Sequence, residues 1–451
     1  MAAPGGAGWS NWSGGVTASP QAIWRPHSED ELAGLIRGFS GPGPIRPAGS
    51  GHSFTALCAS NGALVSLENM TGLVQVWPER HEAEIWAGTP VYAVGPLLHA
   101  HGLALANQGD IDRQTLAGAI GTGTHGTGTS LGSLSTMVVG VTIVTGTGEV
   151  LTVDRSNDPE LFEATRVSFG ALGIVTRLRL QLVPSYALSE ASYAADAGTI
   201  LGQLEELAAR HRHFEFFWFP YADQVVVKTL DPSPEKPDRT LDVPAMKARG
   251  ERVAPDAKAF ERVCRIVRML PWTSAFFHRL LTRQMAAGEA KPGRVRWSWE
   301  TFPSPRTTKF NEMEFAVPHE KAADAIRAVV ARIRRDRIPT AFPIEFRFVK
   351  GDDIWLSPFN GRESATLSVH QHHAMDQKPL FTACQEEFLK FGGRPHWGKQ
   401  HTLTGRDFLW IYPEWRRFHA VRQRVDPAGK FVSPYLRTLF ETGIAESPGP
   451  R

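Results

Sequence analysis

At 451 residues the chain exceeds what one ordinary hydrophobic core fills, so two or more domains are expected. Hydrophobic residues make up 42% and charged residues 21%, with a net charge of +3 and no massed basic segment, which describes a globular protein and argues against nucleic-acid binding. Three widely spaced cysteines, Cys58, Cys264 and Cys384, argue against a disulfide framework or zinc site, and no apolar run approaches the roughly 20 residues of a membrane span.

The N-terminal residues lack the basic and apolar regions of a signal peptide, so a cytoplasmic protein is expected, with peripheral contact to a membrane left open. Residues 28–39 predict a helix, with Ser28 and Glu31 in capping-box spacing. RPAGSGHSF, residues 46–54, then sets His52 at the mouth of a glycine turn. Gly49 and Gly51 let backbone approach a ligand, and consecutive amides of such a turn form an anion-binding concavity. Short strands are expected from Ala63, Leu73 and Ala83, and a helix from Pro90 that stops at Gly102. A second glycine tract, GTGTHGTG, spans residues 121–128. It formally holds G-x-G-x-x-G at Gly121, Gly123 and Gly126, but loop and strand residues follow it where a Rossmann site needs a helix. From Met137 two strands turn at residues 146–148, NDPELFEATRV reads as a capped helix, and the segment from Gly173 alternates apolar and basic residues. This order is α+β with a mixed sheet, and Pro184 marks a boundary.

Phe214 and Gln224 open an antiparallel strand pair, and a Pro- and charge-rich stretch over residues 231–256 reads as a long, mobile excursion. Helical residues follow from about Ala259 to Met285, then a strand from Asn311 and a helix that ends in Arg-rich residues 332–337, where cations suit the negative dipole end. Strands from Phe342 and Ala365 and a helix from Lys378 complete a broad antiparallel sheet with helices on one face. In FPIEFRFVK, Glu345 and Arg347 are two apart and share a strand face, an expensive pair to bury without further partners or function. His370 and His372 also share a face with His373 adjacent, but a metal site needs a further matched ligand, and none is expected.

The pattern R-x-x-G-x-G-H-S at 46–53, NQGDID at 107–112, AGAIGTGTHGTG at 117–128 and HWGK at 396–399 resembles the vanillyl-alcohol-oxidase superfamily. Within it, the chain resembles the aldonolactone oxidoreductases, which act on L-gulono- or D-arabinono-1,4-lactone, and their alditol oxidase cousins. The resemblance covers nearly the whole chain. It implies an FAD-binding domain over 1–184, a substrate or cap domain with a large antiparallel sheet flanked by helices over 185–404, and a segment, 405–451, that returns to the FAD domain. It implies FAD bonded covalently through His52 and held by Pro47, Ala48, Gly49, Ser50, Gly51 and Ser53. Gly109, Asp110, Ala117, Gly118, Ala119, Gly121, Thr122, Thr124 and His125 would line the isoalloxazine and diphosphate, Gly173, Ile174 and Val175 the adenine end, and His396 and Lys399 the ring.

The same resemblance gives the chemistry to Glu345, Arg347 and Lys399, with Ser368, His370 and Glu312 facing the substrate. The expected reaction is oxidation of the C2 hydroxyl of a sugar-1,4-lactone by hydride transfer to flavin N5, giving an ascorbate-type product. An open-chain polyol is the alternative substrate, and a non-catalytic flavin-binding redox partner is the alternative of another class. Electrons would leave to oxygen, a cytochrome or a quinone, and Ala117, where a glycine would admit oxygen, favours a dehydrogenase.

Overall fold

The computed structural model describes residues 8–253, 255–286 and 294–441. The chain is α+β, and three sheets position its cleft. A small parallel sheet sets Ala63–Val65 between Ala22–Trp24 and Ile45–Pro47. Leu32, Ala33 and Ile36 of the helix Glu29–Gly38 pack on its Ile45, Ala63 and Val65. Ser28 Oγ caps that helix by accepting from the Glu31 N–H at 3.1 Å, while the Glu31 carboxylate accepts from the His27 N–H at 2.7 Å.

A second sheet orders Val150–Val153, Val138–Val144, Ile174–Gln181, Glu82–Trp86 and Leu73–Trp77, all antiparallel. The single mixed sheet expected from sequence is therefore two sheets. Tight connections explain the difference: Val138–Val144 and Val150–Val153 are joined by a short turn with Gly148 at φ 78°, which allows only antiparallel pairing, whereas a helical crossover separates Ala22–Trp24 from its parallel neighbour.

The third sheet is antiparallel and eight-stranded, in the order Arg294–Trp297, Ala187–Asp196, Gln224–Ser233, His213–Trp218, Ile344–Val349, Ser364–His372, Phe310–Pro318 and Arg394–Pro395. The two-residue period of its strands sorts its faces. Phe214, Phe216, Phe346, Phe348, Leu367 and Phe315 join a core with Ile326, Val329 and Ile333 of the helix Ala322–Arg335 and Phe388 of the helix Lys378–Lys390. On the alternate positions stand Glu215, Glu345, Arg347, Ser368, His370, Glu312 and Glu314, all in one cross-strand array.

Two stretches differ from expectation. The stretch from residue 231 holds two elements: its first residues finish the strand Gln224–Ser233, and Val243–Glu251 is a helix capped by the Asp242 carboxylate, which accepts from the Ala245 N–H at 2.8 Å. Ala187–Asp196 is a strand although its alanines and serines carry little strand preference, because all ten residues pair with Gln224–Ser233.

The second glycine loop stitches the sheets together. Gly128 N–H donates to Phe348 O at 2.9 Å, Lys350 N–H to Leu131 O at 3.0 Å, and the His213 ring sits 2.8 Å from Thr127 O. Helices Gly405–Ile411, Trp415–Val425 and Pro434–Phe440 close the chain; the middle one lies on the helix Pro159–Arg166, and Gly146 N–H donates to Val425 O at 2.9 Å. Residues 442–451 of the terminal segment lie outside the described residues.

Candidate active site

Between the glycine loops and the polar face of the eight-stranded sheet runs a cleft of about 1650 Å³, its open mouth included. The turn at 46–54 forms one wall. Gly51 sits at φ 70°, and Gly49 lies so close to Thr115 that a Cβ there would stand 2.4 Å from the threonine Oγ1. Trp12 N–H donates to Gly51 O at 2.8 Å, Asn11 Nδ2 to Ser53 O at 2.9 Å, and Phe54 N–H to Gly398 O at 2.7 Å. Among the described residues the backbone N–H groups from Gly49 to Ser53 have no protein acceptor. Such a run of free amides is a ready receptor for an anion.

His52 opens onto the cleft with its ring stacked 5.5 Å from Trp12. Burial, reinforced by the charges of Lys399 and Arg113, lowers its pKa to about 4, so the imidazole is neutral at pH 7 and keeps a nucleophilic lone pair. Deeper in, His125 Nε2 lies 2.8 Å from Glu314 Oε1 and Nδ1 lies 2.8 Å from Gly126 O, so a proton must sit between imidazole and carboxylate. Burial would raise the Glu314 carboxyl, but His125 outweighs it and holds the group well below the usual range.

On the opposite wall Arg347 is caged by three carboxylates. It donates through Nε to Glu215 at 2.7 Å, forms an ion pair through a terminal nitrogen with Asp110 at 2.8 Å, and also meets Glu345. Lys228 Nζ completes the cage, 3.0 Å from Glu215 and 3.8 Å from Asp110. The carboxylate oxygens lie within 4.8 Å of one another, a spacing that would suit a metal ion, but Arg347 and Lys228 already supply the positive charge. Burial opposes the charge on Arg347, yet its three partners raise its pKa well above the ordinary value. Glu345 is raised, by burial first and by Asp110 and Glu215, against the pull of Arg347.

Lys399 comes from a remote segment, pairs with Glu312, and lies 5.2 Å over the Phe54 ring. Burial would raise Glu312, but Lys399 and then His370 lower it to about 2. His370 Nε2 lies 3.5 Å from Glu312 and 3.9 Å from Glu345, whereas His372 meets Glu261 at 3.1 Å, so the two histidines serve different partners.

Most residues expected at the site line this one cleft: Pro47 to Ser53, Gly109, Asp110, Ala117, Gly118, Gly121, Thr122, Thr124, His125, Gly173, Val175, Glu312, Glu345, Arg347, His370, His396 and Lys399. Three do not. Ser368 is buried and spends its hydroxyl on Glu314 at 2.7 Å; Ala119 is enclosed within the helix Leu116–Gly121; and Ile174 turns into the core beside Ile45 and Ala63. Asp110 also faces cations: burial opposes its ionisation, but Lys228, Arg347 and Arg306 hold its carboxyl at about 2. Sequence reasoning does not single out Glu314, Glu215 and Lys228, although each is a charged residue alternating with apolar ones in NEMEF, FEFFWF or QVVVKTL.

The FAD binding domain profile matches residues 20–154, and that of D-arabinono-1,4-lactone oxidase matches residues 178–439, more than half of the chain. The chain belongs to the D-arabinono-1,4-lactone oxidase family. It is 36% identical over 433 residues to the L-gulono-1,4-lactone dehydrogenase of Mycobacterium tuberculosis (strain ATCC 25618 / H37Rv), covering 96% of this chain and 99% of that protein. It is 30% identical to the L-gulonolactone oxidase of Bos taurus, over 96% and 98% of the two chains. In fold it is similar to cholesterol oxidase from B. sterolicum, with a TM-score of 0.80, 18% identity and 96% of both chains covered.

As a member of the D-arabinono-1,4-lactone oxidase family, the chain is an FAD-dependent oxidoreductase acting on CH–OH groups. Its residues fit that cofactor. The free amides from Gly49 to Ser53 suit diphosphate oxygens, and Gly88, Gly109, Gly118 and Gly121 keep the cleft wall bare of side chains.

Proposed function

We propose that this enzyme oxidises the C2 hydroxyl of a sugar-1,4-lactone of the L-gulono or D-arabinono type to a 2-keto lactone, which tautomerises to an ascorbate-type enediol, and that its FAD is attached through His52. The observation that carries the reading is the convergence of Arg347 and Lys399, from remote parts of the chain, on the cleft that His52 enters. The names of the relatives, lactone dehydrogenase and lactone oxidase, support the substrate class. In this reading residues 1–184 bind the cofactor, 185–404 cap the substrate, and 405–451 return to the first unit.

FAD, when bound, supplies the hydride acceptor. Arg347 and Lys399 orient the lactone oxygens and hold positive charge where the alkoxide develops, in a site fixed before the substrate arrives. Glu345, whose proton affinity burial has raised, takes the hydroxyl proton, with His370 Nε2 3.9 Å away beside it. Phe54 and Phe310, stacked at 5.7 Å, keep water from that end of the cleft. Neutral His52 supplies the nucleophilic nitrogen for the covalent bond. Ala117, on the cleft wall, and the dehydrogenase relative together favour a cytochrome or quinone over oxygen as the final acceptor.

Anaerobic bleaching of the flavin absorbance tests the reading. L-gulono- or D-arabinono-1,4-lactone is expected to bleach it faster than any alditol, and cytochrome c to restore the colour faster than air. Faster bleaching by an open-chain polyol would assign the enzyme to alditols, and a flavin that no sugar bleaches would remove the catalytic reading. In the same preparation, yellow colour should stay with the denatured polypeptide and leave it in His52→Ala.

A further inference from the structure

The helices Pro255–Met269 and Ser274–Ala286, joined through a short turn at Pro271–Thr273, form a hairpin beside the cleft. Its inner side is well packed: Cys264 and Val267 are buried against Phe54, Phe310 and Phe342, and the first two of these phenylalanines line the cleft. Its tip is not. Met269 is 68% exposed, Trp272 75% and Phe276 62%, and Ile266, Leu270 and Leu280 are exposed beside them. Large apolar side chains gathered in this way on one surface mark a contact site, since scattered single exposures are the ordinary case.

The charges around the tip say what the contact is with. Between residues 255 and 286 stand Lys258, Arg262, Arg265, Arg268, Arg279 and Arg283 against only Asp256 and Glu261. Glu261 faces His372, and Arg265, Arg268 and Arg279 are exposed with no ion-pair partner among the described residues. An aromatic tip flanked along its two helices by unpaired arginines is the pattern that seats a surface element in the headgroup layer of a bilayer, apolar groups among the acyl chains and arginines on anionic lipid. A second copy docked tip to tip would set like charges against each other. Among the described residues no helix is long and apolar enough to cross a membrane.

We propose that this hairpin docks the enzyme on an anionic phospholipid surface, with Trp272 and Phe276 inserted. Because the inner side of the hairpin borders the cleft, docking brings the mouth of the site beside the lipid phase. The proposal rests on this surface and not on the identity of the substrate.

The test uses the full-length, FAD-loaded protein with vesicles of phosphatidylcholine alone or mixed with phosphatidylglycerol. Co-sedimentation is expected with the mixed vesicles and not with the neutral ones, weakening as salt is added. Bromine-labelled acyl chains should quench part of the tryptophan fluorescence, and Trp272→Phe should abolish that quenching. The double variant Trp272→Ser/Phe276→Ser should lose vesicle partitioning by roughly tenfold or more, while its flavin absorbance and melting temperature match the parent and show it folded. Three results would overturn the proposal: a parent protein that ignores mixed vesicles, a double variant that binds them equally well, or a Trp272-dependent dimer in sedimentation equilibrium without vesicle binding.

Discussion

Arg347 and Lys399 look alike as cations at one cleft, yet their surroundings give their removal different costs. Arg347 neutralises buried Glu215 and Glu345 and half-buried Asp110, so Arg347→Met strands carboxylates in a poorly solvated cage and is expected to cost about 3–5 kcal/mol of stability. Lys399 has one carboxylate partner, Glu312, and Lys399→Met should fold with a smaller loss. Both variants should slow anaerobic bleaching by roughly 100- to 1000-fold, the usual effect of deleting a charge aimed at a developing oxyanion. Denaturant titration beside stopped-flow bleaching separates the two effects, and equal stability losses would contradict the cage. The pair Glu345 and Arg347 was readable because E-x-R in a strand puts both on one face. Glu215 and Lys228 were not, since a lone charge in an apolar run shows its purpose only when a neighbouring strand brings the counter-charge.

Among the elements, legibility followed local chemistry. The helix Glu29–Gly38 announced itself through Ser28 and Glu31, and the helix Pro159–Arg166 through Asp158, whose carboxylate accepts from the Leu161 N–H at 3.0 Å. Val243–Glu251 hid among prolines and charges because its hold on the fold is tertiary: Arg249 donates to Glu300 O at 2.6 Å and Pro303 O at 3.1 Å. The two glycine tracts were visible as an anion cradle, but what each packs against was not. Gly49 packs on Thr115, and Gly126 packs on Asn107, whose Oδ1 would stand 2.3 Å from an added Cβ. Gly49→Ala is therefore expected to push the His52 turn off the helix Leu116–Gly121 and yield protein with little bound flavin, read as the ratio of visible to ultraviolet absorbance. Full flavin content would show that the turn can shift at no cost.

At the scale of the molecule, the buried histidines set an acid limit. Burial lowers His52, His213, His396, His401 and His419 to about 4 and His278 to about 3, against 6.5 for the free imidazole. Below pH 6.5 the unfolded chain takes up protons that the folded one refuses, so stability falls as pH drops from 6.5 toward 4, by about 1.4 kcal/mol per pH unit for each proton taken up. Melting temperature should be flat from pH 7 to 8 and fall steeply below 6.5. His419→Phe, which keeps a ring against Trp415 and Phe440, should shallow that fall by about one proton, and an unchanged slope would clear His419 of any part in it.

Arg46, fully buried, donates to Leu57 O, Phe169 O, Gly170 O and Phe431 O, so one guanidinium clasps three separate stretches of backbone six residues ahead of His52. The tail is thereby a structural member of the cofactor pocket and no mere appendix. A stop codon ahead of residue 431 would leave a buried donor without its carbonyl and slacken the bend that carries His52.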